Sequence, residues 1–150
     1  MRGVVVLAAA VAALPALSAC ATTPVPDGPG GADGNDCAVI AAVAKEHYRF
    51  TTDNVPPPLW LDDEGSGWAP RCDWSRHGLD FPAVHHPDRP HLPGERIQWV
   101  SFKQPRYDGR GAVVETGILH GPLAGMGYEC RVYSGFNGWT VGECRNAWVS

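Results

Sequence analysis

Four histidines within fifteen residues have the chemistry to bind a metal ion. His77, His85, His86 and His91 fall in the stretch HGLDFPAVHHPDRPHLPGE, which also holds three carboxylates. Imidazole is the commonest metal ligand near neutral pH, so the window suggests zinc or copper, held for sequestration or for a small metal-dependent hydrolase. The spacing matches no helical His-Glu-x-x-His pattern, and four prolines separate the side chains. Solvated histidines on an exposed, Pro-rich loop are the competing interpretation.

A second stretch, LWLDDEGSGWAPRCDW, places carboxylates among Trp60, Trp68 and Trp74. Paired carboxylates flanked by aromatic rings are what a glycosidase or a sugar-binding cleft requires. The competing interpretation is a set of tryptophans that plug the core beside a solvated acidic turn. No nucleophile-base arrangement stands out, so the sequence predicts no catalytic residue and no cofactor.

A glycine-rich segment, GPLAGMG, is the third candidate. It superficially resembles a phosphate loop, but strand rather than helix residues follow it, so the amides of a helix start are missing. We interpret it as a mobile connection whose tip carries Leu123 and Met126. Together with the Trp-rich stretch it forms the predicted contact surface for another protein.

The N-terminus has the layout of a secretory signal. Arg2 precedes an apolar run from Val4 to Leu17, which is too short for a stable membrane span. The residues that follow, Leu17-Ser18-Ala19-Cys20, resemble the lipobox of bacterial lipoproteins. The resemblance implies that Cys20 is lipidated and becomes the new N-terminus, and, because alanine follows it, that the protein sits in the outer membrane facing the periplasm or the cell surface. An ordinary signal peptide with a chance cysteine is the alternative.

Composition then divides the chain into three parts. Residues 1–19 are the predicted signal peptide, and residues 20–35 are a lipidated cysteine and a flexible linker too poor in apolar residues to fold. Residues 36–150 have the size of one small domain. Removing the signal takes away one positive charge, Arg2, so the formal net charge changes from −4 to −5. With no basic stripe, the sequence predicts no nucleic-acid partner.

The remaining cysteines predict two disulfides. Cys37, Cys72, Cys130 and Cys144 are an even number in an exported chain, and no Cys-x-x-Cys pair suggests redox or zinc chemistry. A three-residue hairpin loop at 136–138 pairs residues whose numbers sum to 274, and a one-residue slip loses every match. That register places three pairs directly opposite each other: Cys130 and Cys144, Glu129 and Arg145, Arg131 and Glu143. It therefore predicts Cys130–Cys144 and Cys37–Cys72, with Trp148 on the buried face; 37–130 with 72–144 and 37–144 with 72–130 are the rival pairings.

Periodicity predicts the elements that hold these groups. Asn35 and Asp36 are good N-cap residues for a helix of about three turns, the segment 59–95 is irregular, and four strands follow at 97–103, 112–119, 127–134 and 139–149. The expected fold is α+β, with the N-terminal helix packed on a four-stranded antiparallel meander. This architecture resembles cystatin or NTF2-like domains, which implies a binding module rather than an enzyme. The sequence thus predicts a membrane-anchored envelope lipoprotein that binds an envelope protein or peptidoglycan, with the metal-dependent hydrolase or metal-binding protein as the alternative.

Overall fold

The computed structural model describes residues 35–150, which form a mixed β-sheet and one short helix. The predicted signal peptide, Cys20 and most of the linker lie outside the described residues. In chain order the elements are α1 (Asp36–Glu46), β1 (Leu59–Asp62), a 3₁₀ turn (Trp74–His77), β2 (Trp99–Lys103), β3 (Arg106–Tyr107), β4 (Gly111–Leu119), β5 (Gly125–Gly135) and β6 (Gly138–Val149). The sheet order is β1-β2-β4-β5-β6, with β3 paired to β4. Within residues 35–150, no helix is long and apolar enough to cross a membrane.

The predicted fold, a helix on a four-stranded antiparallel meander, is wrong. The sheet has six strands, and β1 runs parallel to β2, with Leu59 paired to Val100. Parallel partners are joined by a long crossover, so no turn signal marks the pairing in the sequence, and β1 falls in the segment expected to be irregular. β3 is only two residues long, too short for a strand pattern to be recognised in the sequence.

The hydrophobic core lies between α1 and one face of the sheet. Alternate residues of each strand point to this face, and helix residues three and four apart meet them. The largest fully buried aliphatic and aromatic side chains are Val39, Ile40 and Val43 from α1, Val100 and Phe102 from β2, Val114 from β4, and Val132 from β5. Burying each stabilises the fold by about 1.5–3 kcal/mol. The opposite face of the sheet, called the outer face below, is turned away from α1.

Two disulfides join the cysteines as predicted. Cys37 of α1 pairs with Cys72, whose Cα is 5.4 Å away, and Cys130 of β5 pairs with Cys144 of β6 across 4.0 Å. The first bond fastens the long segment between β1 and β2 to the start of the helix. This constraint helps to order a segment that contains few regular elements.

The register of the last hairpin is confirmed at the cysteines but not at its tip. Cys130 faces Cys144 and Glu129 faces Arg145, whereas Gly135 pairs directly with Gly138, which leaves a two-residue loop. A register shift between Cys130 and Val132 absorbs the difference. The predicted pairing of Arg131 with Glu143 is wrong, because this register shift leaves the two residues without a direct pairing. Arg131 instead forms an ion pair with Asp108, and Glu143 forms one with Arg145.

Asp36 binds the start of the helix to two distant segments. Its carboxylate is fully buried and accepts hydrogen bonds from Trp68 Nε1 at 2.7 Å and from the Tyr107 hydroxyl at 2.6 Å. Asn35 occupies the N-cap position without a side-chain capping hydrogen bond. Of the two residues that predicted the helix start, Asp36 therefore provides a buried carboxylate that joins α1 to the Trp-rich stretch and to β3.

Candidate functional site

The outer face is built from the residues that alternate with the core positions. Register places Trp60 and Asp62 of β1 beside Ser101 and Lys103 of β2, and all four point away from α1. On the central strands the same surface continues with Glu115, Gly117, Gly127 and Glu129. The face therefore combines aromatic rings, charged groups and side-chain-free positions.

Aromatic rings form a row across the strands of this face. The ring centroids of Trp60 and Trp99 are 5.4 Å apart, and those of Trp99 and Trp148 are 6.4 Å apart. His85 continues the row, 5.8 Å from Trp60 and 6.3 Å from Trp99, and His91 stacks on His85 at 6.3 Å. The three indoles are called the tryptophan row below.

Trp148 reaches this row because β6 contains an extra residue. Gly127 pairs with Trp148 while Tyr128 pairs with Asn146, so Ala147 has no partner of its own. A bulge of this kind reverses the alternation beyond it. Trp148 therefore lies on the outer face, 41% exposed, and its predicted place on the buried face is wrong. Its indole covers Gly127, where any Cβ would overlap the ring.

Ion pairs form a polar stripe beside the tryptophan row. Lys103 Nζ lies 2.7 Å from a Glu64 oxygen and 3.0 Å from a Glu115 oxygen, and Arg106 contacts both Glu115 and Glu129. Hydrogen bonds from Arg106 and then Lys103 lower the pKa of Glu115. A glycosidase needs one carboxyl group kept protonated by a raised pKa, and the lowered pKa of Glu115 does not fit that acid role.

A shallow groove of about 250 Å³ joins the row and the stripe. Its lining includes all three indoles, together with Asp62, Ser101, Lys103, Glu115 and Glu129. Enclosed small-molecule pockets are usually about 300–1,000 Å³. A smaller groove on an open sheet face favours a ligand that lies across the surface.

The structure brings three of the four predicted histidines to one place. His85, His86 and His91 line a groove of about 320 Å³ that also contains Glu95, whereas His77 lies in the 3₁₀ turn, 6.5 Å from the Trp74 ring. The pKa of His85 is lowered by burial first, and then by the charges of its neighbours His91, His86 and Arg89.

The donor atoms of these histidines do not form a group of three within 4.8 Å of one another. Among residues 35–150, the group of three potential ligands whose donor atoms lie within 4.8 Å of one another is His47, Cys130 and Cys144. Both of those sulfurs are joined in a disulfide, so neither is a thiolate that could ligate a metal.

The predicted tryptophan trio is split between the two sides of the sheet. Trp60 belongs to the outer face, but Trp68 donates its indole N–H to Asp36, and Trp74 packs at 5.0 Å against Phe81. Trp68 and Trp74 are both half-buried against the core. Their roles follow from their packing, and they do not extend the row.

Leu123 and Met126 lie in and beside a tight turn between β4 and β5. Leu123 is 88% exposed with a positive φ of 58°, and Met126 is 43% exposed. Alternation puts Met126 on the opposite side of β5 from Gly127, away from the tryptophan row. Of the predicted contact surface, Met126 is therefore separated from Trp60, the member of the Trp-rich stretch that belongs to the row.

Sequence reasoning missed Trp99, Trp148 and the polar stripe. A signal for Trp99 was present in IQWVSFK, where Trp99, Ser101 and Lys103 alternate with the core residues Val100 and Phe102. That alternation identifies a polar-aromatic face, but only the register with β1 and β6 shows which other indoles share it.

Comparison of the chain with protein-family models, with curated proteins and with solved structures finds no match. The site must therefore be interpreted from its own chemistry.

Proposed function

We propose that this protein is a lipid-anchored bacterial envelope protein, favoured in the outer membrane, whose disulfide-bonded domain binds an envelope component through the outer face. The observation that carries the binding proposal is the tryptophan row. On the solvent face of the sheet Trp148 is 41% exposed and Trp60 and Trp99 are partly exposed, so the row presents a continuous apolar surface of the kind that marks binding sites. The lipobox-like residues at 17–20 support the anchor.

Site-specific photo-crosslinking in living cells tests the binding surface. Ser101 lies on the outer face beside Trp99, and a diazirine amino acid there inserts into protein, sugar or lipid alike. We expect capture from position 101 in the form of a discrete larger band or of protein bound to the detergent-insoluble cell wall. The same group at Lys45, which is exposed on α1, is the matched control. Capture from position 45 alone, or no capture, contradicts the proposal.

Metabolic labelling tests the anchor independently. We expect a palmitate analogue to label the full chain and not the Cys20→Ser variant, since the thiol is the predicted acceptor of the diacylglyceryl group. Labelling of neither protein would leave the domain without its proposed anchor. This outcome has no bearing on the crosslinking result, so the two parts of the proposal fail separately.

A further inference from the structure

We propose that the outer face binds a neutral glycan, a chain of pyranose rings laid across the strands on the tryptophan row. This inference rests on the proposed binding function and names its ligand class. A pyranose ring has an apolar C–H face and a rim of hydroxyl groups. The tryptophan row meets the faces, and the polar stripe meets the rim.

The spacing of the rings favours an extended, repeating ligand. Neighbouring indole centroids lie 5.4 Å and 6.4 Å apart, and the row runs from β1 at one edge of the sheet across to the indole of β6. Gly117 and Gly127 have no side chains to cover the sheet, and the Trp148 indole lies over both. The planes of Trp60 and Trp99 are 84° apart and those of Trp99 and Trp148 are 54° apart, so a chain that crosses the row meets ring edges as well as ring faces.

The polar stripe favours hydroxyl groups over a charged or apolar partner. Lys103, Arg106, Glu64, Glu115 and Glu129 are already joined in ion pairs that neutralise one another in part. A hydroxyl group donates to a carboxylate and accepts from an ammonium or guanidinium group, so it replaces water on either partner. A protein of standard interface size would instead bury these charges, which is costly without matched partners.

Titration of the full lipidated protein, purified in a detergent without a sugar headgroup, tests the inference. The probes are tetra-N-acetylchitotetraose and cellotetraose, two neutral β-1,4-linked glycans. Calorimetry and tryptophan fluorescence measure the binding of each. We expect saturable binding of at least one probe, little changed between low and high salt because the ligand is uncharged. No binding of either probe overturns the glycan assignment.

Variants locate the binding. Trp99→Ala and Trp148→Ala are each expected to weaken binding about tenfold or more, since buried tryptophans dominate contact energies. Phe136→Ala, which removes a fully exposed ring at the β5–β6 tip, is the matched control and should bind as the parent does. Far-ultraviolet circular dichroism checks that each variant is folded, because removing an indole changes the near-ultraviolet signal by itself. Unchanged affinity in both tryptophan variants places the ligand elsewhere and overturns the inference.

The two proposals fail differently. A discrete protein band captured from position 101, together with no glycan binding, retains the binding function and rejects the glycan. Absence of both capture and glycan binding rejects the binding function itself.

Discussion

At the scale of single residues, Asp36 is a fully buried carboxylate whose hydrogen bonds should be important for stability. Replacing it with alanine leaves the Trp68 indole N–H and the Tyr107 hydroxyl without their buried acceptor. We expect Asp36→Ala to lower the free energy of unfolding by about 2–4 kcal/mol. Urea denaturation measures the loss, and Asp88→Ala, at an exposed position, should change stability little. An equal, small effect of both variants would show that the buried carboxylate is dispensable.

Two histidines make stability depend on pH. Burial lowers the pKa of His47 and of His85 below the ordinary value of 6.5. The unfolded chain therefore binds more protons than the folded chain as the pH falls below 6.5, and the free energy of unfolding decreases in that window.

Urea denaturation between pH 7.5 and pH 5.5, which spans that window, measures this dependence. The double variant His47→Gln/His85→Gln should show a flatter profile than the parent, because glutamine does not titrate. His120→Gln removes an exposed imidazole that is not among the neighbours of His85 or His47 and serves as the matched control. A parent profile that is flat, or one that the double variant leaves unchanged, contradicts the assignment.

At the scale of elements, the bulge in β6 and the glycine in β5 work together. Gly127→Ala adds a Cβ where the Trp148 indole lies, so we expect the ring to leave its place on the sheet. Overpacking of this kind costs about 1–3 kcal/mol unless the ring swings away. Acrylamide quenching should report more accessible tryptophan fluorescence, whereas Gly135→Ala, which meets only one atom at 3.8 Å, should not. Equal quenching in both variants would place the indole elsewhere.

The Cys37–Cys72 bond is expected to keep the segment between β1 and β2 ordered. The double variant Cys37→Ala/Cys72→Ala should therefore open trypsin sites such as Arg71, Arg76 and Arg96. Limited proteolysis with mass spectrometry reads the cuts. The variant Cys130→Ala/Cys144→Ala removes the bond across the β5–β6 hairpin and should leave these three sites protected. Rapid cleavage at these sites in both variants would indicate general unfolding instead.

At the scale of the whole molecule, local patterns predicted more than long-range ones. The pairing of Cys130 with Cys144 followed from a hairpin whose partners are close in sequence. The parallel pairing of Leu59 with Val100 joins residues far apart, and nothing between them encodes it. The tryptophan row combines both cases. Alternation in β2 predicts that Trp99 lies on the outer face, whereas Trp148 lies there because of a bulge that no sequence pattern predicted.

Covalent constraint should decide whether this domain folds. In the chain-entropy model, a bond closing 14 residues contributes about 3 kcal/mol and one closing 35 about 4 kcal/mol. Their sum is close to the whole stability of many domains, about 5–15 kcal/mol. Protein that is unfolded, fully reduced and returned to native buffer with reductant should therefore lose most of its near-ultraviolet circular dichroism.

The oxidised protein taken through the same unfolding and refolding, without reductant, is the control and should regain its signal. A reduced chain that refolds with an unchanged urea midpoint would show that burial alone stabilises the sheet. The expected loss has a physical consequence for where the protein can work, because a domain that depends on two disulfides folds only where thiols are oxidised. The need for disulfides and the proposed export signal are independent features of the chain. The reduction experiment tests the need for disulfides without involving residues 1–20.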